Sequence, residues 1–150
     1  MDTGKLKKFA QEARTQLMAQ VAAKLELVLA EGSAARREAP AAVKELLGEI
    51  ARSDKQQVVE KVAYTWFNRF TALRFMDANG LTNPRVVTPA EGQTRPELLA
   101  DAAAGHMDDT IPEATRNAVA ALLDGRTPSR DAQGEAYRLL LVAACNGWHE

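Results

Sequence analysis

The sequence predicts an all-α fold: an irregular multi-helix domain of about six helices around a central buried helix at residues 53–79. Three observations predict this fold. Alanine and leucine are abundant, while aromatic residues make up only 5% of the chain. Apolar residues recur every three or four positions, which is the spacing of one helical face. Apolar content of 46% with 26% charged residues is ordinary globular usage, and 150 residues suit a single domain at 1–150.

The first helix is predicted from about Thr3 to Ala30. Its apolar stripe consists of Leu6, Phe9, Ala13, Leu17, Val21, Leu25 and Val28. Gly32 ends it, because glycine readily adopts the left-handed conformation that follows a helix. Pro40 suits the first turn of a second helix, whose buried face is predicted to be Val43, Leu46, Leu47 and Ile50.

The third helix is predicted to begin with a capping box at Ser53-Asp54-Lys55-Gln56. In such a box, the serine and glutamine side chains accept hydrogen bonds from backbone amides at the helix start that have no helical partner. Its apolar residues fall around most of the circumference, which predicts the most buried helix. They are Val58, Val59, Val62, Tyr64, Trp66, Phe67, Phe70, Leu73, Phe75 and Met76. Asn79-Gly80 ends this helix.

A loop at residues 81–93, with a briefly extended stretch at 85–88, separates these helices from three shorter ones. Two of them are predicted to begin with threonine caps at Thr94 and Thr110 and to end near Gly105 and Gly125. The last runs roughly from Asp131 to Asn146, with an apolar face. That face is predicted to include Ala136, Leu139, Leu140, Val142, Ala143 and Cys145.

Composition excludes several classes of protein. A single cysteine, Cys145, allows no disulfide within the chain and suits a reducing compartment. No apolar run approaches the ~20 residues of a membrane span, and the start lacks the apolar stretch of a signal peptide, so a cytoplasmic location is expected. The net charge of −1 is uneven: residues 1–85 carry 14 Lys/Arg against ten Asp/Glu, and residues 86–125 carry two against seven.

No catalytic, cofactor-binding or metal-binding set is predicted. The nine glycines are dispersed, so no phosphate-binding loop is present. One cysteine and two histidines are too few for a zinc site. Residues 106–109 (HMDD) are interpreted as a solvated acidic loop, and His149 as a residue of the chain end. Ser53 and Ser129 are interpreted as helix caps, and Cys145 as a small buried hydrophobe.

The only candidate binding residues are cations, which are able to contact the phosphates of DNA. They are Lys5, Lys7, Lys8, Arg36 and Arg37. The alternative is that these cations are solvated helix ends flanked by Glu12, Glu31 and Glu38. A second ambiguity concerns residues 66–70 (WFNRF), which suit a base-stacking platform or core packing; the helical periodicity favours core packing.

Five stretches together resemble a known family. They are residues 5–10 (KLKKFA), 27–37 (LVLAEGSAARR), 63–77 (AYTWFNRFTALRFMD), 87–93 (VTPAEGQ) and 134–146 (GEAYRLLLVAACN). In this order they resemble the N-terminal region of PglX, the adenine-specific DNA methyltransferase family of bacterial BREX phage-defence systems. The resemblance covers essentially the whole chain, and 63–77 is its longest stretch.

The resemblance implies a longer parent enzyme that uses S-adenosylmethionine to methylate the exocyclic amine of adenine, after extracting the base from the duplex. It implies that the catalytic and cofactor motifs lie beyond this region; the only Asn-Pro here, Asn83-Pro84, is followed by Arg-Val. Expected partners are the rest of the methyltransferase, duplex DNA bound through the parent, and other BREX proteins, with no membrane.

The expected function is therefore that of an N-terminal accessory domain, inactive alone, which supports the catalytic domain and contributes to DNA or partner engagement. The alternative is a free-standing helical module that binds DNA or protein. Such a module should bind duplex DNA by itself with strong salt dependence, whereas a supporting domain should bind weakly or not at all.

Overall fold

A computed structural model describes residues 2–147 and confirms the all-α class: these residues form seven α-helices and no strand. The helices are α1 (Thr3–Leu29), α2 (Ala34–Glu38), α3 (Pro40–Arg52), α4 (Lys55–Ala78), α5 (Glu97–Ala103), α6 (Glu113–Leu123) and α7 (Ala132–Asn146). The chain divides into two compact units, Met1–Asn68 and Arg69–Glu150, and the division falls within α4. That residues 1–150 form one domain stays a prediction.

The N-terminal unit contains the predicted first two helices. The carboxylate of Asp2 caps α1 by accepting from the amides of Gly4 and Lys5. At its other end, α1 stops before Gly32, which has the predicted positive φ of 69°. Pro40 lies in the first turn of α3, as expected from its fixed φ and missing amide hydrogen. The buried apolar residues of this unit are Leu25, Val43, Val58, Val59 and Ala63.

Residues 34–38, which lie between the predicted first and second helices, form helix α2, and the number of helices among the described residues is seven rather than about six. Ser33 explains this helix, because its hydroxyl oxygen accepts from the amide of Arg36 at 3.2 Å. The same hydroxyl donates to the carbonyl of Val28 at 2.8 Å. One serine thus closes the end of α1 and opens α2.

The predicted capping box at the start of α4 is wrong by one residue. Asp54 is the cap, since its carboxylate accepts from the amide of Gln57 at 2.8 Å. Ser53 instead donates its hydroxyl to the carbonyl of Glu49 at the end of α3, and Gln56 donates its amide to Glu60. A carboxylate adjacent to the serine is the better acceptor at the positive end of a helix dipole.

The prediction that residues 53–79 form the most buried helix, with apolar contacts around most of its circumference, is also wrong. Helix α4 buries a single stripe, and side chains between the stripe positions are exposed, with Tyr64 and Phe75 each 63% exposed. The buried positions are Val58, Val59, Ala63, Leu73 and Asp77. Apolar composition all round a helix does not bury it unless neighbours cover every side, and in each unit the neighbours cover only part of the circumference of α4.

In the C-terminal unit, α7 packs against both α5 and α6. Its predicted start is confirmed, because Asp131 caps it through the amide of Gly134 at 3.0 Å. The threonine caps predicted for α5 and α6 are wrong: Pro96 and Pro112 occupy the cap positions, without a side-chain cap. The core of this unit consists of Leu73, Val86, Leu98, Leu99, Ala102, Ile111, Val119, Leu122, Ala136, Leu140 and Leu141.

Residues 85–88, predicted to be briefly extended, form no strand. Among the described residues, the only β-bridge is an isolated antiparallel one between Pro89 and Pro96. None of the described helices is long and apolar enough to span a membrane.

Candidate functional site

Three of the five predicted cations lie together on a fully exposed stretch of helix. Every residue from Thr3 to Phe9 is exposed, including Lys5, Lys7 and Lys8. Lys5 lies 3.9 Å from Asp2 and Lys8 lies 3.8 Å from Glu12. Such long, solvent-exposed pairs contribute little stability and leave the ammonium groups available to another anion.

The other two cations, Arg36 and Arg37, lie at the opposite end of α1. Helix geometry puts Leu29, the last residue of α1, about 30 Å from Lys8, so the five residues do not form one cluster. Arg36 donates to the carbonyl of Leu29 from Nε at 3.1 Å and from Nη2 at 2.7 Å. Arg37 donates to the carbonyl of Gly32 at 2.5 Å. Both guanidinium groups thus satisfy carbonyls that the end of α1 leaves without helical partners.

Arg14 is a cation that sequence reasoning did not single out. It is exposed on α1, and its guanidinium lies 5.5 Å from the centre of the Phe67 ring on α4. An arginine over an aromatic face keeps its in-plane N–H groups directed outward. The spacing of seven residues from Lys7 could have revealed it, because it puts the two cations on the same side of the helix.

The ambiguous stretch at residues 66–70 is half-buried rather than wholly core or wholly exposed. Trp66 and Phe67 are half-buried, while Phe70 is 38% exposed. The ring of Phe67 contacts Arg14. The choice between core packing and base stacking for this stretch stays open.

The clearest polar feature of the C-terminal unit is Asp77, which the sequence did not single out. It is only 4% exposed. Its Oδ1 accepts from the hydroxyl of Thr82 at 2.5 Å and from the amide of Val86 at 2.9 Å. Its Oδ2 accepts from the amides of Val87 and Thr88, both at 2.9 Å. The carboxylate at the end of α4 therefore holds the following loop in place.

Burial alone would raise the pKa of Asp77, but the hydrogen bonds from Thr82, Val86, Val87 and Thr88 keep it below the ordinary aspartate value. Each of its oxygens already accepts two hydrogen bonds, which fills the acceptor capacity of a carboxylate. Asp77 is therefore ionised and fully engaged, and it is suited to structural anchoring rather than to accepting a proton from a substrate.

A second carboxylate reinforces the same loop. Glu97, at the start of α5, accepts from the backbone amide of Arg85 at 2.9 Å and from its guanidinium at 2.6 Å. The guanidinium and backbone hydrogen bonds from Arg85 lower the pKa of Glu97. The amide of Glu97 in turn donates to the carbonyl of Thr88 at 3.1 Å, and Arg74 donates to the Thr88 hydroxyl at 2.8 Å.

Other residues considered from the sequence have ordinary structural surroundings. Asp108 accepts from the amide of Thr110 at 2.8 Å, and Asp109 pairs with Arg116 at 3.2 Å. No group of three metal-ligating side chains occurs among residues 2–147. Cys145 is half-buried, and burial raises the pKa of its thiol. His149 lies outside the described residues.

Comparison with known proteins supports relatedness to a methyltransferase. The chain is 35% identical over 95 residues to the adenine-specific methyltransferase BrxX of Escherichia coli O9:H4 (strain HS). The matched segment spans 61% of this chain and 7% of that relative. The chain thus matches a small part of a much longer protein. No protein-family model matches the chain, and no solved structure matches it.

Proposed function

We propose that this chain is the N-terminal helical accessory domain of an S-adenosylmethionine-dependent, adenine-specific DNA methyltransferase of a BREX phage-defence system. The observation that carries the proposal is the 35% identity over 95 residues to a methyltransferase of which the match covers 7%. A match of that extent fits one domain of a large enzyme. The resemblance of residues 5–10, 27–37, 63–77, 87–93 and 134–146 to the N-terminal region of PglX supports a position at the front of that enzyme.

The role of a structural domain is supported by the polar side chains, which already form hydrogen bonds within the chain. Asp77 and Glu97 hold one loop, and Arg36 closes a helix end. Because these groups are committed to contacts within their own units, each unit offers a helical surface on which a neighbouring catalytic domain is able to pack. Cofactor binding and methyl transfer then belong to the rest of the enzyme, which acts in the cytoplasm.

The test is methyl transfer by the complete reading frame that contains this chain. The purified enzyme, duplex DNA and labelled S-adenosylmethionine are expected to yield N6-methyladenine. The same enzyme lacking residues 1–150 is expected to lose most of its activity or its solubility. A reading frame with no methyltransferase motifs, or a complete enzyme that methylates no adenine, overturns the proposal and favours a free-standing helical module.

A further inference from the structure

We propose that the first two turns of the basic segment, defined as residues 3–16 of α1, enter the major groove of duplex DNA, and that the cations of the segment contact the phosphates of both strands. The choice of DNA as the ligand rests on the proposed function, and the choice of the basic segment as the site rests on the structure. It restricts the predicted DNA-binding set to Lys5, Lys7 and Lys8, adds Arg14, and excludes Arg36 and Arg37.

Charge is the first argument. Residues 17–68 of the N-terminal unit carry seven Lys/Arg and seven Asp/Glu, so they are neutral. The basic segment carries four cations, Lys5, Lys7, Lys8 and Arg14, against Glu12, and Asp2 precedes it, so residues 2–16 have a net charge of +2. The positive charge of the unit is therefore concentrated in four helical turns, and a local concentration of this kind produces an electrostatic footprint for nucleic acid even in a protein of neutral overall charge.

The fold gives no reason for these lysines. Cations near the start of a helix oppose its dipole, so Lys5, Lys7 and Lys8 make α1 less stable than neutral residues would. They form no close ion pair within the described chain. Lys8 lies 3.8 Å from Glu12 and Lys5 lies 3.9 Å from Asp2. Lys55 and Glu26, in the same unit, are 2.9 Å apart. An external anion is the partner that fits them.

The arrangement around the helix is the second argument. Successive residues of a helix are about 100° apart, so Leu6 and Phe9 lie on the same side of α1. Lys5 and Lys8 lie to one flank of this apolar pair. Lys7 and Arg14 lie to the other flank. Leu6 is 55% exposed and Phe9 is 66% exposed. A helix in the major groove has base edges in front of it and a phosphate backbone on each side. The apolar pair therefore faces the bases, where thymine methyl groups offer apolar contacts, and the flanking cations face the phosphates.

Access is the third argument. A major groove about 12 Å wide admits a bare helix but not a packed helical bundle. The first two turns of α1, residues 3–9, are exposed on all sides and are the part that enters the groove, whereas Ala10 and Ala13 are half-buried and Arg14 lies against Phe67 of α4. Since the apolar side chains of Leu6 and Phe9 do not read a base by hydrogen bonding, their contact supplies affinity with little sequence preference.

The test is the binding of a short labelled DNA duplex to the 150-residue chain at several salt concentrations. Weak, salt-dependent binding is expected, in the range of about 10⁻⁴–10⁻⁶ M that is typical of phosphate contacts alone. The double variant Lys7→Gln/Lys8→Gln should weaken binding and lower the slope of log affinity against log salt by about two. Lys24→Gln/Lys44→Gln is the matched control: it removes the same charge from exposed lysines outside the basic segment and should leave the slope unchanged.

Equal effects of the two double variants would show that net charge alone acts and would overturn the proposal. So would an absence of duplex binding by the chain. A third variant, Leu6→Ser/Phe9→Ser, tests the alternative that the segment binds protein. If the chain does not bind duplex DNA and this variant no longer associates with the rest of the methyltransferase, the segment docks on protein. None of these outcomes bears on whether the complete enzyme methylates adenine, so failure here is distinguishable from failure of the proposed function.

Discussion

The phenol of Tyr137 donates a 2.9 Å hydrogen bond to the backbone carbonyl of Val86, a buried residue 51 positions earlier in the chain. The amide of that same residue donates to Asp77. Val86 is therefore held from both sides, by the end of α4 and by the middle of α7. These two contacts hold the loop at residues 82–88 against the helical core of the C-terminal unit. Their contribution to the stability of the unit can be tested by substitutions that remove single atoms or groups.

Replacing Tyr137 with phenylalanine is expected to lower the free energy of unfolding by about 1–2 kcal/mol. The variant keeps the ring but leaves the Val86 carbonyl without its donor, and a partly buried acceptor without a partner has a cost of this size. Urea unfolding followed by circular dichroism measures the change. A free energy of unfolding equal to that of the wild type would show that water replaces the phenol at no cost.

The same phenol predicts a response to alkaline pH. Burial, with the negative charges of Asp77 and Cys145 as smaller contributions, raises the pKa of Tyr137 from its ordinary value of 10.0 to about 12. Since the folded pKa is above the unfolded one, the stabilisation from this group is complete below pH 10 and is lost as the pH rises from 10 towards 12. Unfolding curves across this window should fall more steeply for the wild type than for Tyr137→Phe; parallel curves would contradict the assignment.

Asp77→Asn is expected to be the most destabilising isosteric change in the C-terminal unit, at about 3 kcal/mol. An amide retains one acceptor oxygen and turns an NH2 group towards two backbone donors, so charge-assisted hydrogen bonds are lost and buried amides are left unpaired. Asp101→Asn is the control, because Asp101 is exposed on α5 and a surface change of this kind stays within about 0.5 kcal/mol. Equal losses in the two variants would refute the anchoring role.

The depressed pKa of Asp77 adds an acid-side test. Its contribution to stability is present above the ordinary aspartate pKa and is lost as the pH falls through the lower, folded value. The wild type should therefore lose its advantage over Asp77→Asn on acidification. If the difference between the two proteins stays constant from neutral to strongly acidic pH, the pKa of Asp77 is the same in the folded and unfolded states, and the hydrogen bonds do not lower it.

Two alanine variants of α4 test the single buried stripe. Leu73 is 1% exposed and Phe75 is 63% exposed. Leu73→Ala should cost about 2–5 kcal/mol through lost burial and a residual cavity, whereas Phe75→Ala should cost well under 1 kcal/mol despite removing more atoms. Trp66→Ala, at a half-buried position, should fall between them. A large loss from Phe75→Ala would restore the fully buried central helix that the sequence predicted.

Arg36→Gln should separate stability from DNA binding. It removes two hydrogen bonds to the Leu29 carbonyl at the end of α1, and we expect a loss of about 1–2 kcal/mol in the free energy of unfolding. Its effect on duplex affinity should be no larger than that of the exposed control lysines. Loss of DNA binding without loss of stability would return Arg36 to the DNA-contacting set.

The sequence by itself determined the helical class, the bounds of α1 and α7, the glycine that ends α1 and the proline that opens α3. These features depend on local propensity and on capping groups a few residues away, and such groups are visible in a one-dimensional pattern. It also carried the resemblance to a methyltransferase, which the identity to BrxX supports.

Tertiary structure alone decided three other points. Asp77 is buried because four donors from residues 82–88 converge on it, and nothing in the local pattern distinguishes it from an exposed aspartate at a helix end. Tyr64 and Phe75 are exposed because burial depends on which neighbours cover a face, not on how apolar that face is. Arg36 and Lys7 look alike as cations in the sequence, but Arg36 folds back onto a carbonyl while Lys7 remains exposed. Helical periodicity therefore predicts which elements form, and the contacts between distant residues decide which side chains remain free to bind.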